Sequence, residues 1–276
     1  DASHLWISNL SIAAVISSLA WGLGYFGQPH IIVRFMAIRS VGGLKLARRI
    51  GMSWMITCLL GAMAVGFVGI AFVASAQVSL SDPEAIFILL SQLLFHPFIS
   101  GFLLAAVLAA IMSTVSSQLL VTSSSLTEDI YKAFLQKQAT QRQLVFVGRL
   151  CVVLVACLAI TLAHNRDSSI LQLVSHAWAG FGAAFGPLIL LSLYWPRMTS
   201  AGALAGIVVG AATVLLWIYA PISIAGQLLA EMIYAIVPGF LLSTLAIVLV
   251  SRVTQQPSAA SRSAFSTMEA RVKSET

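Results

Sequence analysis

Seven stretches of about twenty apolar residues, almost free of charge, dominate this chain. They run over about 7–26, 54–74, 97–121, 144–163, 170–194, 201–218 and 228–250. A helix needs roughly 20 such residues to cross ~30 Å of hydrocarbon. Inside lipid every backbone N–H and C=O must be satisfied within the protein, which restricts apolar runs of this length to helices. Composition agrees: 59% of the 276 residues are hydrophobic, 9% are charged, and the mean hydropathy is +0.96. A soluble domain carries about 25% charged residues. The expected fold class is therefore an all-α integral membrane protein with seven transmembrane helices.

A shorter apolar segment, 83–93, follows the residues SDPE. Ser81 or Asp82 would cap it and Pro83 would fill its first turn, giving a helix that lies in an external loop. Cys58, Cys151 and Cys157 all fall within apolar runs, with no disulfide or metal spacing. Alternate loops hold fourteen of the fifteen Lys and Arg residues, and Arg166 is the exception. By the positive-inside rule the amino end lies outside and the carboxyl end is cytoplasmic. The net charge of +6 follows from that bias and does not point to nucleic acid. Residues 253–276, polar and rich in Ser and Ala, are expected to form a mobile cytoplasmic tail behind the transmembrane domain of 1–252.

No Asp, Glu or Lys falls in the middle of a span, where a proton relay or ion-paired site would place one. Glu231 lies near an outer end, and His176 reads as an interfacial or packing histidine. Any site must therefore use neutral groups and backbone. The first span supplies a candidate in WGLGYFGQPH at 21–30. Pro29 has no N–H, so the Tyr25 carbonyl loses its helical donor, and Gly22, Gly24 and Gly27 ease unwinding. Trp21, Tyr25 and Pro29, at i, i+4 and i+8, would share one helical face. Two readings fit: a proline kink with packed aromatics, or a broken helix that binds substrate as in secondary transporters.

The third span offers neutral oxygens. Ala110, Ser113, Thr114 and Ser117 fall at i, i+3, i+4 and i+7. Hard cations prefer oxygen ligands, so this face suits Na⁺. The competing reading is hydroxyls bonded back to i−4 carbonyls or holding helices together. Trp21 lies about 20 Å into its span and Ser113 about 24 Å into the third, so the two features are expected to meet at similar depth. In the fifth and sixth spans, Gly182 and Gly186, then Gly202, Gly206 and Gly210, follow small-xxx-small spacing for close helix packing. Gly180, Gly182 and Gly186 lack the spacing and the preceding strand of a nucleotide-binding loop.

GYFGQPHIIVRFMA at 24–37, AAIMST at 109–114, TEDIYKAFL at 127–135 and WAGFGAAFGP at 178–187 closely resemble the sodium:solute symporter family, in its proline-carrying branch. The resemblance runs from about residue 8 to 252. It implies the inverted-repeat fold of the leucine-transporter type, with this chain as the second repeat plus two peripheral helices. It also implies that Trp21, Tyr25 and Pro29 bind L-proline. Ala110 would bind sodium through its carbonyl, and Ser113 and Thr114 through their hydroxyls. Gln28 and Ser117 take supporting roles. Members of the family carry six further spans before this point, including the other half of the pocket.

The expected function is thus Na⁺-coupled L-proline uptake at a bacterial inner membrane, with no covalent chemistry. The chain alone, lacking the N-terminal half, is expected to be inactive, as a truncated record or a broken gene. Uptake of another amino acid or small solute is the alternative within the family. A seven-helix receptor has the same topology but would need a mid-span lysine to hold retinal. A non-functional remnant is the remaining alternative.

Overall fold

A computed structural model describes residues 11–77, 82–163, 170–224 and 226–275. Among the described residues the chain is all-α apart from one small hairpin, and it divides into two compact units, 42–162 and the segments flanking it. Six helices among the described residues are long and apolar enough to cross a membrane. Five of them match the second to sixth expected runs. The first expected run is represented by a shorter apolar helix, which starts at Ile12 behind a Ser11 cap and gives way to a 3₁₀ turn at Tyr25.

In the flanking unit, α1 (Ile12–Gly24) begins at Ser11, whose hydroxyl accepts from the Ala14 N–H at 3.1 Å. A 3₁₀ turn (Tyr25–Gly27) and α2 (Pro29–Met36) follow. The centre of the unit is a bundle of α7 (Ile170–Tyr194), α8 (Ser200–Tyr219) and α10 (Ile236–Val253). The expected small-residue packing holds. A Cβ at Gly206 would meet the Ile247 side chain, and one at Gly202 would meet the Ser251 hydroxyl. One at Gly210 would meet the carbonyl of Ala183, for which Pro187, four residues on in α7, has no N–H. Missing side chains let the helix backbones approach closely. Hydroxyls add cross-links: Ser243 donates to the Gly206 carbonyl at 2.9 Å, and Ser251 accepts from the Thr199 N–H at 3.1 Å.

The seventh expected run starts later than expected. A two-residue antiparallel hairpin, β1 (Ser223–Ile224) with β2 (Gln227–Leu228), and a short α9 (Leu229–Met232) precede α10. Gly226, at φ 83°, supplies the left-handed turn residue that such a hairpin requires. The tail also departs from expectation. Residues of the expected mobile segment form α11 (Ala259–Glu275), capped by Ser258, whose hydroxyl accepts from the Ser261 N–H at 3.1 Å. Ala, Arg, Met, Glu and Lys favour helix even where the segment is polar overall. Its Phe265 and Met268 face Trp195 and Met198 across a cavity of about 470 Å³.

The other unit contains α3 (Val41–Ala76), α4 (Ile86–Leu94), α5 (Pro97–Ser124) and α6 (Gln141–Ala163). Lys45, Arg48 and Arg49 belong to α3 itself, which starts well before the apolar run. Asp82 accepts from the Glu84 N–H at 2.9 Å, as expected of a cap, whereas Ser81 lies outside the described residues. After α5 the chain continues as a π-helix over Ser125–Leu135, so the turn to α6 is short. Ser123 donates to the Gly148 carbonyl of α6 at 2.8 Å, and Thr127 donates to the Ser123 carbonyl at 2.7 Å.

Candidate functional site

The break in WGLGYFGQPH is real. Helix α1 ends at Gly24, and the 3₁₀ turn leads into Gln28, which is extended at φ −86°, ψ 113°. Helix α2 then restarts with Pro29 in its first turn. The residue before a proline is pushed out of the α region, and proline at the first helical position loses no bond. One expectation changes here. Trp21 and Tyr25 lie along α1 and the turn, but Pro29 opens a new helix beyond an extended residue, so the three do not share one continuous helical face.

The break is held by α7. The Trp178 indole N–H donates to the Trp21 carbonyl at 2.9 Å. Its ring meets Tyr25 edge-on at 4.9 Å between centroids and lies 6.2 Å from the Trp21 ring. Tyr234, between α9 and α10, stacks on Trp21 at 5.3 Å. Its hydroxyl donates to the Ser175 carbonyl at 2.7 Å, and its N–H donates to the Ser17 hydroxyl at 3.0 Å. Two of these four rings, Trp178 and Tyr234, were not singled out as site residues from sequence. Trp178 opens WAGFGAAFGP at 178–187, but nothing in its spacing pairs it with Trp21.

Two glycines make the approach possible. A Cβ at Gly24 would collide with the Trp178 indole, and one at Gly27 with the backbone of Phe181 and Gly182. Gly22, by contrast, has open space around it. Gly24 and Gly27 are thus needed for contact with α7, beyond any easing of unwinding. A cavity of about 560 Å³ adjoins the Trp21–Tyr234 stack, lined by Ser17, Ser18, Gln172, Ser175 and Glu231. His176, on α7, packs edge-on against Tyr219 at 6.4 Å, in line with a packing role. At the start of α2, burial and then the Arg34 charge hold His30 below its ordinary pKa.

The oxygen-bearing face lies on α5, in the other unit. The Thr114 hydroxyl donates to the Ala110 carbonyl at 3.3 Å, and the Ser117 hydroxyl donates to the Ser113 carbonyl at 2.8 Å. This is the i−4 back-bonding pattern. The donating hydroxyls keep their oxygen lone pairs, whereas the Ala110 and Ser113 carbonyls each accept a hydroxyl in addition to the helical N–H. Among the described residues no cluster of His, Cys, Asp and Glu could hold a metal.

Comparison with known proteins adds the family. The model of the sodium:solute symporter family matches residues 7–210. The chain is 54% identical over 263 residues to the osmoregulated proline transporter OpuE of Bacillus subtilis, covering 95% of this chain and 52% of the relative. It is 56% identical over 250 residues to the high-affinity proline transporter PutP of the same organism, covering 91% and 51%. With the sodium/proline symporter of Staphylococcus aureus the identity is 53% over 256 residues, covering 91% and 50%. The chain spans about half the length of these relatives.

Proposed function

The chain belongs to the sodium:solute symporter family, and from that premise we propose that it forms the C-terminal half of a secondary transporter coupling inward Na⁺ flow to L-proline uptake. The observation that carries this reading is the broken helix at Tyr25–Gln28 faced by the rings of Trp21, Tyr25, Trp178 and Tyr234. The names of relatives at 53–56% identity support proline and sodium as the pair carried.

The proposed architecture is a leucine-transporter-type fold, with this chain as the second inverted repeat plus two peripheral helices and seven spans in all. The amino end of the chain lies outside and the carboxyl end is cytoplasmic, in a bacterial inner membrane. The rest of the transporter supplies the other half of the pocket.

Trp21, Tyr25 and Pro29 bind proline. The aromatic faces suit its apolar ring, and the backbone freed at the break suits its polar groups. The Ala110 carbonyl and the Ser113 and Thr114 hydroxyls bind Na⁺ as neutral hard ligands. Sodium bound there orders the break around substrate in an outward-open form. Linkage requires each ligand to raise the affinity of the other by the same factor. The chemistry is binding and conformational change, with no covalent step.

The test is uptake of labelled L-proline into proteoliposomes holding the full-length transporter that contains this chain. An inward Na⁺ gradient should drive accumulation, and unlabelled proline should compete better than other amino acids. Accumulation indifferent to the gradient, or a better competitor than proline, would sink the assignment.

A further inference from the structure

Among the described residues one buried side-chain polar atom stands without a hydrogen-bond partner: Nε2 of Gln28. Gln28 is 5% exposed. Buried amide donors are nearly always paired, and an unpaired one is costly. Gln28 has an obvious local use that it does not take. It is the N-cap residue of α2, yet its side chain makes no capping bond. Its backbone carbonyl accepts from both Ile31 and Ile32 at 3.0 Å, so its main chain is committed to starting the helix. The carboxamide is left over.

The place of this donor gives it a use. Gln28 is the extended residue of the break, three positions from Tyr25 and directly before Pro29. It sits at the N-terminal end of α2, where the aligned peptide dipoles favour negative charge. No Lys or Arg occurs between Trp21 and Pro29. A zwitterionic substrate placing its apolar ring against Trp21 and Tyr25 would bring a carboxylate that needs neutral donors. Amide-to-carboxylate bonds are charge-assisted and stronger than neutral ones.

We propose that the Gln28 Nε2 amide is the hydrogen-bond donor to the substrate carboxylate, and so a specificity-determining residue of the transporter. The inference rests on the reading of the break as the substrate site. Binding thereby exchanges an orphaned donor for a charged acceptor.

The experiment compares Gln28→Leu, Gln28→Glu and Gln28→Asn in the full-length transporter, measuring initial rates of Na⁺-driven proline uptake and the amount of protein in the membrane. Gln28→Leu should raise the proline KM roughly tenfold or more with kcat largely kept. Gln28→Glu sets a carboxylate against a carboxylate. It should raise KM further at neutral pH and recover on acidification as the new side chain protonates. Gln28→Asn should fall between wild type and Gln28→Leu.

Two results overturn the proposal. One is a wild-type KM in Gln28→Leu. The other is equal loss in Gln28→Leu and Gln28→Glu, seen in kcat or protein level and unresponsive to pH, as expected if the amide pairs with another helix. A wild-type transporter that fails to carry proline would instead defeat the substrate assignment itself, so the two failures are distinguishable.

Discussion

Trp178 and Trp21 are joined by a 2.9 Å hydrogen bond from indole N–H to backbone carbonyl, across 157 residues of chain. The bond lands four residues before Tyr25, where regular helix gives way. It ties the last turns of α1 to α7, and the same indole packs over Gly24 and against Tyr25. The break is thus docked at a fixed point on α7.

Trp178→Phe keeps an aromatic ring but removes the donor. It should lower stability by about 1 kcal/mol and raise the proline KM, because the Trp21 end of the break loses its anchor. Thermal unfolding of the purified full-length transporter, alongside uptake kinetics, checks this. An unchanged melting temperature and KM would mean the bond does not position the break.

Gly24→Ala and Gly27→Ala place a methyl group where Trp178 and the Phe181–Gly182 backbone already stand. Overpacking of this kind costs about 1–3 kcal/mol, and loss of uptake should accompany it. Gly22→Ala meets open space and improves helix propensity by up to about 1 kcal/mol, so it should be neutral or slightly stabilising. If all three variants behaved alike, close approach to α7 would not be what requires glycine.

Thr114→Ala removes a proposed Na⁺ ligand, whereas Thr114→Ser keeps the hydroxyl. The first should shift the Na⁺ concentration for half-maximal uptake upward by roughly tenfold, the size of one lost bond to a charged partner. The second should stay near wild type. Sodium activation curves decide, and an unaltered curve for Thr114→Ala would remove Thr114 from the ion site.

His30 adds a pH dependence. Its folded pKa is held below 6.5 by burial and by Arg34, so the unfolded chain binds the proton more readily. Its contribution to stability is therefore present above the unfolded value and is lost as pH falls through the folded one. The melting temperature should fall on mild acidification, and the fall should shrink in His30→Gln. A fall of equal size in both proteins would assign the acid sensitivity elsewhere.

The site was legible in part. Pro29 and the glycines before it announce a break because proline lacks an N–H, a purely local property. The rings that face the break carry no such signal. Trp178 and Tyr234 lie 157 and 213 residues from Trp21, and no periodicity links positions so far apart. The one-face reading of Trp21, Tyr25 and Pro29 failed because it assumed unbroken helical geometry through the very residues that interrupt it. Helix α11 lies in the segment whose polar composition suggests a tail, although its helix-favouring residues and the Ser258 cap are local signals.

By itself the sequence determined that this chain is a set of membrane helices, roughly where they run, and that one is interrupted. Those are consequences of desolvation and backbone chemistry, which act residue by residue. Only the tertiary structure decided what the interruption faces, which glycines are needed for contact, and which buried donor is left unpaired. Each of these depends on distances between segments remote in sequence, set by how α1, α7, α8 and α10 pack.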